Sequence, residues 1–377
     1  MTARAPTPPA LGAPLTGIAS EVYTIPTDQP EADGTMSWDK TTLVLVRARG
    51  GGAEGIGWTY ATSACKSVVE DLLAPALGGG DVGDVPGALE AMVRACRNVG
   101  RPGIASCAIS AVETALWDLK ARVLGVPLAR LFGPCRDEVP IYGSGGFTTY
   151  DDATTRRQIE TWTEEWGIPR VKIKIGESWG TRPDRDLARA RLVRKVAGAN
   201  VDVLVDANGG YRRKQAVRMG RRLREEAGIV WFEEPVSSDD LQGLREVRDQ
   251  VDVDVTAGEY GFDLVYFARM VEQEAVDCLQ VDVTRCGGYL EWQRAAAVAF
   301  SRSLDVSGHC APNLHAHVAL SVPNLRHLEY FHDHHRIEHM LFDGVLSPRG
   351  GVLRPDMDAP GHGMALRAPD AARYRTS

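Results

Sequence analysis

The chain has 377 residues, enough for one or two domains with a sizeable core, and its 44% hydrophobic and 25% charged content is that of an ordinary soluble protein. A net charge of −7 argues against a general nucleic-acid surface, and no run reaches the ~20 apolar residues of a membrane helix. The N-terminus lacks the apolar core of a secretory signal, and seven cysteines without a C-x-x-C spacing fit reduced thiols in a cytoplasm.

Residues 1–16 carry Pro6, Pro8, Pro9 and Pro14 among small residues and read as a disordered lead-in. Strands are expected over 18–23 and 41–48. The polar stretch 27–40, with Pro30, Gly34 and Trp38, is expected as a long loop between them, with Trp38 as a substrate contact. Gly50, Gly52 and Gly55 match G-x-G-x-x-G behind a strand, but the dinucleotide fingerprint must open a helix. Ile56-Gly57-Trp58-Thr59-Tyr60 instead reads as the return strand of a hairpin. Residues 67–96 are helical in pattern, interrupted by Gly78-Gly79-Gly80 and Pro86. Ile109, Val112, Leu116, Leu119 and Val123 form one apolar helical stripe, closed by Gly125 and Pro127. Strands followed by helices make this first part an α+β unit.

The rhythm changes at 139. A strand over 139–142 and a Gly-rich turn over 143–146 lead to a helix over 151–166. Short runs follow at 171–176, 203–208, 229–235, 253–259, 278–282, 304–309 and 325–329. Helices are expected between them over 184–196, 212–226, 240–250, 263–274 and 290–303. A spacing of roughly 20 to 35 residues is that of βα units in a (β/α)8 barrel. After 342 the chain turns to Gly- and Pro-rich loops.

Most of these runs end in an acid or a histidine, and active sites of such barrels lie at the C-terminal ends of the strands. Lys172 and Lys174, two apart in a strand, share a face. Asp206, Glu233 and Glu259 end three consecutive strands; three carboxylates suit a hard cation, Mg²⁺ before Mn²⁺ or Ca²⁺. Glu234 is a rival to Glu233, but strand alternation sends it to the other face. Asn208 shares the face of Asp206 and is placed to orient ligand or substrate. A second ammonium and a nearby cation are expected to lower the pKa of Lys174 enough for it to act as a base. Asp282 and His309 end the next two strands, where a carboxylate accepting from an imidazole N–H makes a proton-transfer dyad.

Taken together, the sequence resembles the enolase superfamily, in its mandelate racemase-like group. The resemblance runs from about 17 to 367 and is carried by SAVETALWDLKARVLGVPLARLFG, VKIKIG, VDAN, WFEEP, TAGE, QVDVTRCGG, SGH and LEYF. It implies an α+β capping domain (17–134) on a modified TIM barrel (135–345), with 346–377 returning to the cap. It implies Asp206, Glu233 and Glu259 as Mg²⁺ ligands and Lys174 as a base, with Lys172 tuning it and touching the substrate carboxylate. The Asp282–His309 dyad would act on the opposite face, and Glu329, as a neutral acid, would bond the enolate oxygen. The 27–40 segment would close the site; Ser144 and 330–340 would join it in setting specificity. The implied reaction is abstraction of the proton alpha to a carboxylate. Dehydration of an acid sugar to a 2-keto-3-deoxy acid is favoured; racemisation or epimerisation of a 2-hydroxy acid and sugar-lactone cycloisomerisation remain open. The resemblance also implies a homo-oligomer acting on a small carboxylate.

All nine histidines lie between 309 and 362, densest in FHDHHRIEH at 331–339. His335 and His339 do not form H-E-x-x-H, so a zinc protein is disfavoured. The cluster is expected at the barrel mouth, against substrate or a neighbouring subunit.

Overall fold

The computed structural model describes residues 12–377; most of the expected lead-in lies outside the described residues, and its last two positions, Leu15 and Thr16, already stand in a strand. Three antiparallel strands, β1 (Leu15–Ala32), β2 (Ser37–Gly50) and β3 (Ala53–Tyr60), form one sheet in that order. The helix Ile104–Leu124 packs across them. Close approach requires glycine in β3: a Cβ at Gly55 would stand 2.2 Å from the Leu119 backbone nitrogen, and one at Gly57 2.4 Å from that of Ala115. The glycine run is therefore a hairpin turn and a packing face, with Gly51 and Gly52 at φ 57° and 78°.

The stretch 27–40 is not the expected loop. β1 and β2 pair from Tyr23↔Leu43 to Pro26↔Lys40, slip register once, and pair again at Glu31↔Trp38 and Ala32↔Ser37. Its polar composition hid a ladder whose far end is buried against another unit rather than the cap core. The tip sits on the barrel: the Ala32 carbonyl accepts from the Thr148 amide (2.8 Å) and that of Gly34 from the Trp179 amide (2.8 Å). A side chain at Gly34 would meet the carbonyl oxygens of Ile175 and Ala207 within 2.8 Å.

Eight parallel strands close the barrel: β4 (Val139–Gly145), β5 (Arg170–Lys174), β6 (Asp202–Asp206), β7 (Trp231–Glu233), β8 (Asp254–Ala257), β9 (Cys278–Val281), β10 (Asp305–Gly308) and β11 (Leu325–Phe331), with β11 pairing back to β4. Gly143, Ser144 and Gly145 belong to β4 rather than to a turn, paired with Val171, Lys172 and Ile173 of β5, and residue 143 is glycine because a Cβ there would stand 2.6 Å from the Trp162 ring. Crossover helices Pro183–Ala197, Arg213–Ala227, Leu241–Arg248, Leu264–Glu272 and Tyr289–Phe300 follow the sequence reading. Two further helices, Pro312–Ala319 and His332–Leu341, were not anticipated. Each is short, and the first is buried at every residue, Asn313, His315 and His317 included, which leaves no amphipathic period to read. Among the described residues no helix is long and apolar enough to cross a membrane.

The chain end lies on the cap, where Val22 and Thr24 donate to the carbonyls of Ser377 (2.9 Å) and Tyr374 (2.8 Å). Two buried acids of the long helix tie the units together. Asp118 accepts from the amides of Ile56 and His362, both at 2.9 Å. Glu113 accepts from the amides of Tyr289 (2.7 Å) and Leu290 (3.0 Å), and so caps a barrel helix from the cap. Glu113→Ala would leave two buried amides unpaired, at about 1–3 kcal/mol each. A fall in the urea midpoint equivalent to about 3 kcal/mol is expected, with the urea dependence of the free energy unchanged.

Candidate active site

Each barrel strand brings a polar side chain to one end of the barrel: Ser144 from β4, Lys172 and Lys174 from β5, Asp206 from β6, Glu233 from β7, and Glu329 from β11. Glu259, Asp282 and His309 lie one or two residues beyond β8, β9 and β10. All are buried. On β5 the alternation is clean: Val171 and Ile173 join the apolar shell under the helices, while both lysines point inward.

One oxygen from each of Asp206, Glu233 and Glu259 lies within 4.8 Å of the others. Asn208 donates its amide to Asp206 Oδ1 (2.8 Å). Trp231 and Gln280 each donate to Glu233 Oε2 at 3.1 Å. Glu259 Oε2 makes no hydrogen bond although buried, and neither does Asn208 Oδ1. An all-oxygen, anionic, buried donor set with unpaired oxygens fits a hard divalent cation.

Glu234 is not among the three acids whose oxygens come together, as expected. The backbone leaves the strand immediately after β7, where Glu234 takes φ 38°, and its side chain is buried. Burial and the charges of Glu259, Asp206 and Glu233 hold its pKa well above the usual carboxylate range. Its Oε1 has no partner.

The lysines are ion-paired with the acids. Lys174 Nζ pairs with Asp206, and Lys172 Nζ lies 2.5 Å from Glu233 Oε1 and 2.8 Å from Glu329 Oε1. Burial works to depress both lysines, but these carboxylates outweigh it and raise both pKa values well above the ordinary value. The two ammonium groups are thus the counter-charge of the acid cluster. Glu329 was expected as a neutral acid. Burial favours that, yet Lys172 and then His309 hold it well below the usual carboxylate range. Ser144 donates to Glu329 Oε1 at 2.6 Å and sits beneath the cavity, so it positions Glu329 rather than lining the space above.

On the other side, His309 Nδ1 lies 2.8 Å from Asp282 Oδ2, while Asp282 Oδ1 accepts from the amide and hydroxyl of Thr284, both at 2.7 Å. His309 Nε2 is left facing Glu259 Oε2 at 3.3 Å and Glu329 Oε2 at 3.6 Å. Burial opposes protonation of His309, but Glu259, Glu329 and the Asp282 bond raise its pKa. Two neighbours escaped the sequence reading. Arg285 reaches Glu259 Oε1 at 3.2 Å and Asp282 Oδ2 at 3.4 Å. Cys310 Sγ lies 3.4 Å from both His309 Nε2 and Glu329 Oε2. Arg285 stands in the quoted QVDVTRCGG segment, three residues past Asp282, which was the available signal.

A cavity of about 360 Å³ separates this mouth from the hairpin tip. Lys174, Asn208, Glu259, Arg285 and His309 line it from the barrel, and Asp33, Met36 and Trp38 from the cap. The Trp38 ring is held edge-on to Phe147 at 5.5 Å and donates its N–H to Glu31 Oε2 (2.7 Å). The histidine cluster divides. His334 faces the cavity and stacks on Tyr60 at 3.4 Å, whereas His335 bonds the Tyr330 hydroxyl (2.6 Å) and, with His339, lines a separate cavity outside the barrel.

His334 Nδ1 accepts from the Ala311 amide at 3.2 Å, which requires the neutral ring, and burial pushes its pKa down to about 3. In the unfolded chain an ordinary histidine protonates near 6.5. The contribution of His334 to stability is therefore whole above about 6.5 and lost as pH falls towards 3. His334→Gln, which keeps an acceptor without a titrating ring, should show a shallower decline of melting temperature between pH 7 and pH 5 than the parent.

Comparison with known proteins places this geometry. Residues 19–133 match the mandelate racemase / muconate lactonizing enzyme N-terminal domain, and residues 154–371 match the enolase C-terminal domain-like family. A mandelate racemase/muconate lactonizing enzyme-like protein from Rubrobacter xylanophilus has a crystal structure that superposes with a TM-score of 0.93 at 46% identity, covering 96% of this chain and 99% of that one. The L-talarate/galactarate dehydratase of Salmonella typhimurium LT2 is 30% identical over 345 residues, 89% of this chain and 82% of its own. Its structure liganded with Mg and L-lyxarohydroxamate superposes with a TM-score of 0.89 at 26% identity, covering 100% of this chain and 96% of that one. The 3,6-anhydro-alpha-L-galactonate cycloisomerase of Streptomyces coelicolor is 29% identical over 360 residues, 93% of this chain and 96% of its own. With both halves matched and the barrel and cap in the same arrangement, the chain belongs to the mandelate racemase/muconate lactonizing enzyme family of the enolase superfamily, a family of lyases and isomerases.

Proposed function

We propose that this protein is a Mg²⁺-dependent acid-sugar dehydratase. The observation that carries the reading is that Lys174 and His309, two proton-transfer groups on different strands, line one cavity together with Glu259. Lys174 takes the proton alpha to the substrate carboxylate. Its electron pair passes into the carboxylate to give an ene-diolate; in a second step that pair forms the C2–C3 double bond as the C3–O bond breaks, and His309 protonates the departing hydroxyl, which leaves as water. The enol then becomes a 2-keto-3-deoxy acid. Asp282 holds the His309 ring with Nε2 towards the cavity. Asp206, Glu233 and Glu259 would hold Mg²⁺, which supplies positive charge to the substrate carboxylate as it gains electron density. Lys172, bonded to Glu233 and Glu329, adds fixed positive charge beneath the same oxygens. Asn208 and Trp38 meet the substrate from the mouth and the cap. The Salmonella dehydratase, with its sugar-acid hydroxamate, supports the dehydratase reading over racemisation.

The test is proton NMR in D₂O with Mg²⁺ and a panel of aldonic and aldaric acids. Loss of the alpha proton with new 3-deoxy signals is the expected result. Alpha exchange with an intact carbon skeleton would overturn dehydration in favour of racemisation or epimerisation. Turnover only of sugar lactones or anhydro acids would move the protein to the cycloisomerases.

A further inference from the structure

A second group of ligand-type side chains stands outside the barrel mouth. Asp28 and Glu31 lie near the end of β1, and His332 opens the helix after β11. One donor atom from each lies within 4.8 Å of the others. His332 Nε2 is 3.0 Å from Asp28 Oδ2. Glu31 is fully buried. Its Oε2 accepts from Trp38 at 2.7 Å, but its Oε1 is buried without any hydrogen bond.

The neighbouring cation is already committed. Arg336 donates to Asp333 Oδ1 at 2.6 Å and to the Pro26 carbonyl at 2.7 Å, and the other oxygen of Asp333 accepts from the Thr41 hydroxyl. Among the described residues Glu31 is therefore a buried carboxyl beside a His–Asp pair with no cation of its own, an arrangement that is costly unless a proton or a metal ion completes it. Burial, followed by the charge of Asp333, pushes the Glu31 carboxyl up to about 9.

We propose that Asp28, Glu31 and His332 form a second divalent-cation site, distinct from the Asp206–Glu233–Glu259 group, that takes zinc or a similar transition-metal ion. One imidazole nitrogen with two carboxylate oxygens is a donor set of that class, and three protein ligands leave a position for water. Bonds of about 2.0–2.2 Å at tetrahedral angles put ligand atoms about 3.3–3.6 Å apart, a few tenths beyond the 3.0 Å Asp28–His332 separation. The ion replaces the proton shared by that pair. Asp28 and His332 also line a cavity of about 590 Å³ open to solvent, which gives the ion a way in. Its effect reaches the active site: Glu31 holds Trp38, and the two strands joined by the 33–36 turn carry both. A bound ion fastens this hairpin to the first turn of the helix after β11, and so fixes one wall of the substrate cavity.

The probe is zinc alone, on the chelated full-length protein, dialysed to equilibrium in a large excess of Mg²⁺. Bound zinc is counted by atomic absorption for the parent, Asp28→Asn and His332→Ala. Any zinc entering the barrel site is common to all three proteins. The expected result is one equivalent more in the parent than in either variant, and slower amide exchange over 27–36 on adding zinc to the parent only. Asp28→Asn is isosteric at an exposed position, so folding is retained and the comparison holds even where His332→Ala is damaged. Equal zinc in the parent and Asp28→Asn, with no zinc effect on exchange over 27–36, would overturn the site and leave Glu31 as a buried protonated acid.

Discussion

Lys174→Ala should abolish both product formation and exchange of the substrate's alpha proton with D₂O, while His309→Asn should abolish product but leave exchange. Loss of a positioned acid or base costs about 10²–10⁴-fold, and here each variant removes the only group assigned to its step. The split follows from where the two groups lie. Lys174 enters from β5, paired with Asp206, and His309 enters from beyond β10, paired with Asp282. Neither touches the other's partner within hydrogen-bond distance, so the first proton transfer survives loss of the second. His309→Asn keeps a side chain that bonds Asp282, which separates lost chemistry from lost packing. Parallel NMR time courses with the substrate found in the panel read both signals at once. Product formation by Lys174→Ala at a tenth of the parent rate would sink its assignment as base. Loss of exchange in His309→Asn would mean that the two transfers are concerted or that His309 is itself the base.

The barrel ends were legible because a strand has a strict two-residue alternation and the barrel a regular repeat. Those two rules put Lys172, Lys174, Asp206, Glu233 and His309 at one end without any coordinate. The same rules fail where the backbone leaves the strand. Glu234 has φ 38° and Asn208 φ 45°, and nothing in WFEEP or VDAN announces a left-handed residue that is not glycine. Composition misled at 27–40, since a polar hairpin end reads as loop when the surface that buries it lies more than a hundred residues away, at Thr148 and Trp179.

Protonation was the least legible property. The sequence shows Lys172 beside Lys174, and adjacent ammonium groups repel, which suggests a lowered pKa. The fold places Glu233, Glu329 and Asp206 around them, and three nearby carboxylates outweigh one like charge. Glu113 and Asp118 show the same limit for structure: both sit in the quoted helix segment, yet their work as cap-to-barrel fastenings depends on amides at 289, 290 and 362.

That counter-charge arrangement sets the second expected result. Chelation should abolish turnover completely while leaving the protein folded, because Lys172, Lys174 and Arg285 already pair with the acids in the absence of a divalent ion. Lys172 pairs with Glu233 and Glu329, Lys174 with Asp206, and Arg285 with Glu259, all of these acids being buried. If Asp206 holds Mg²⁺ as proposed, its carboxylate would pair less strongly with Lys174, and Lys174 would more readily hold the neutral amine that proton abstraction needs. Restoring Mg²⁺ to a hundredfold excess over its Kd should add about 2.7 kcal/mol of stability. Asp206→Asn should lose that stabilisation and fall at least about 10³-fold in turnover, since it removes a metal ligand and the partner of the base together. Circular dichroism melts with and without Mg²⁺, run beside the NMR assay, check both halves. Unfolding on chelation would show that Lys172, Lys174 and Arg285 do not hold the acids together unaided; full turnover in chelator would remove the divalent ion from the reaction altogether.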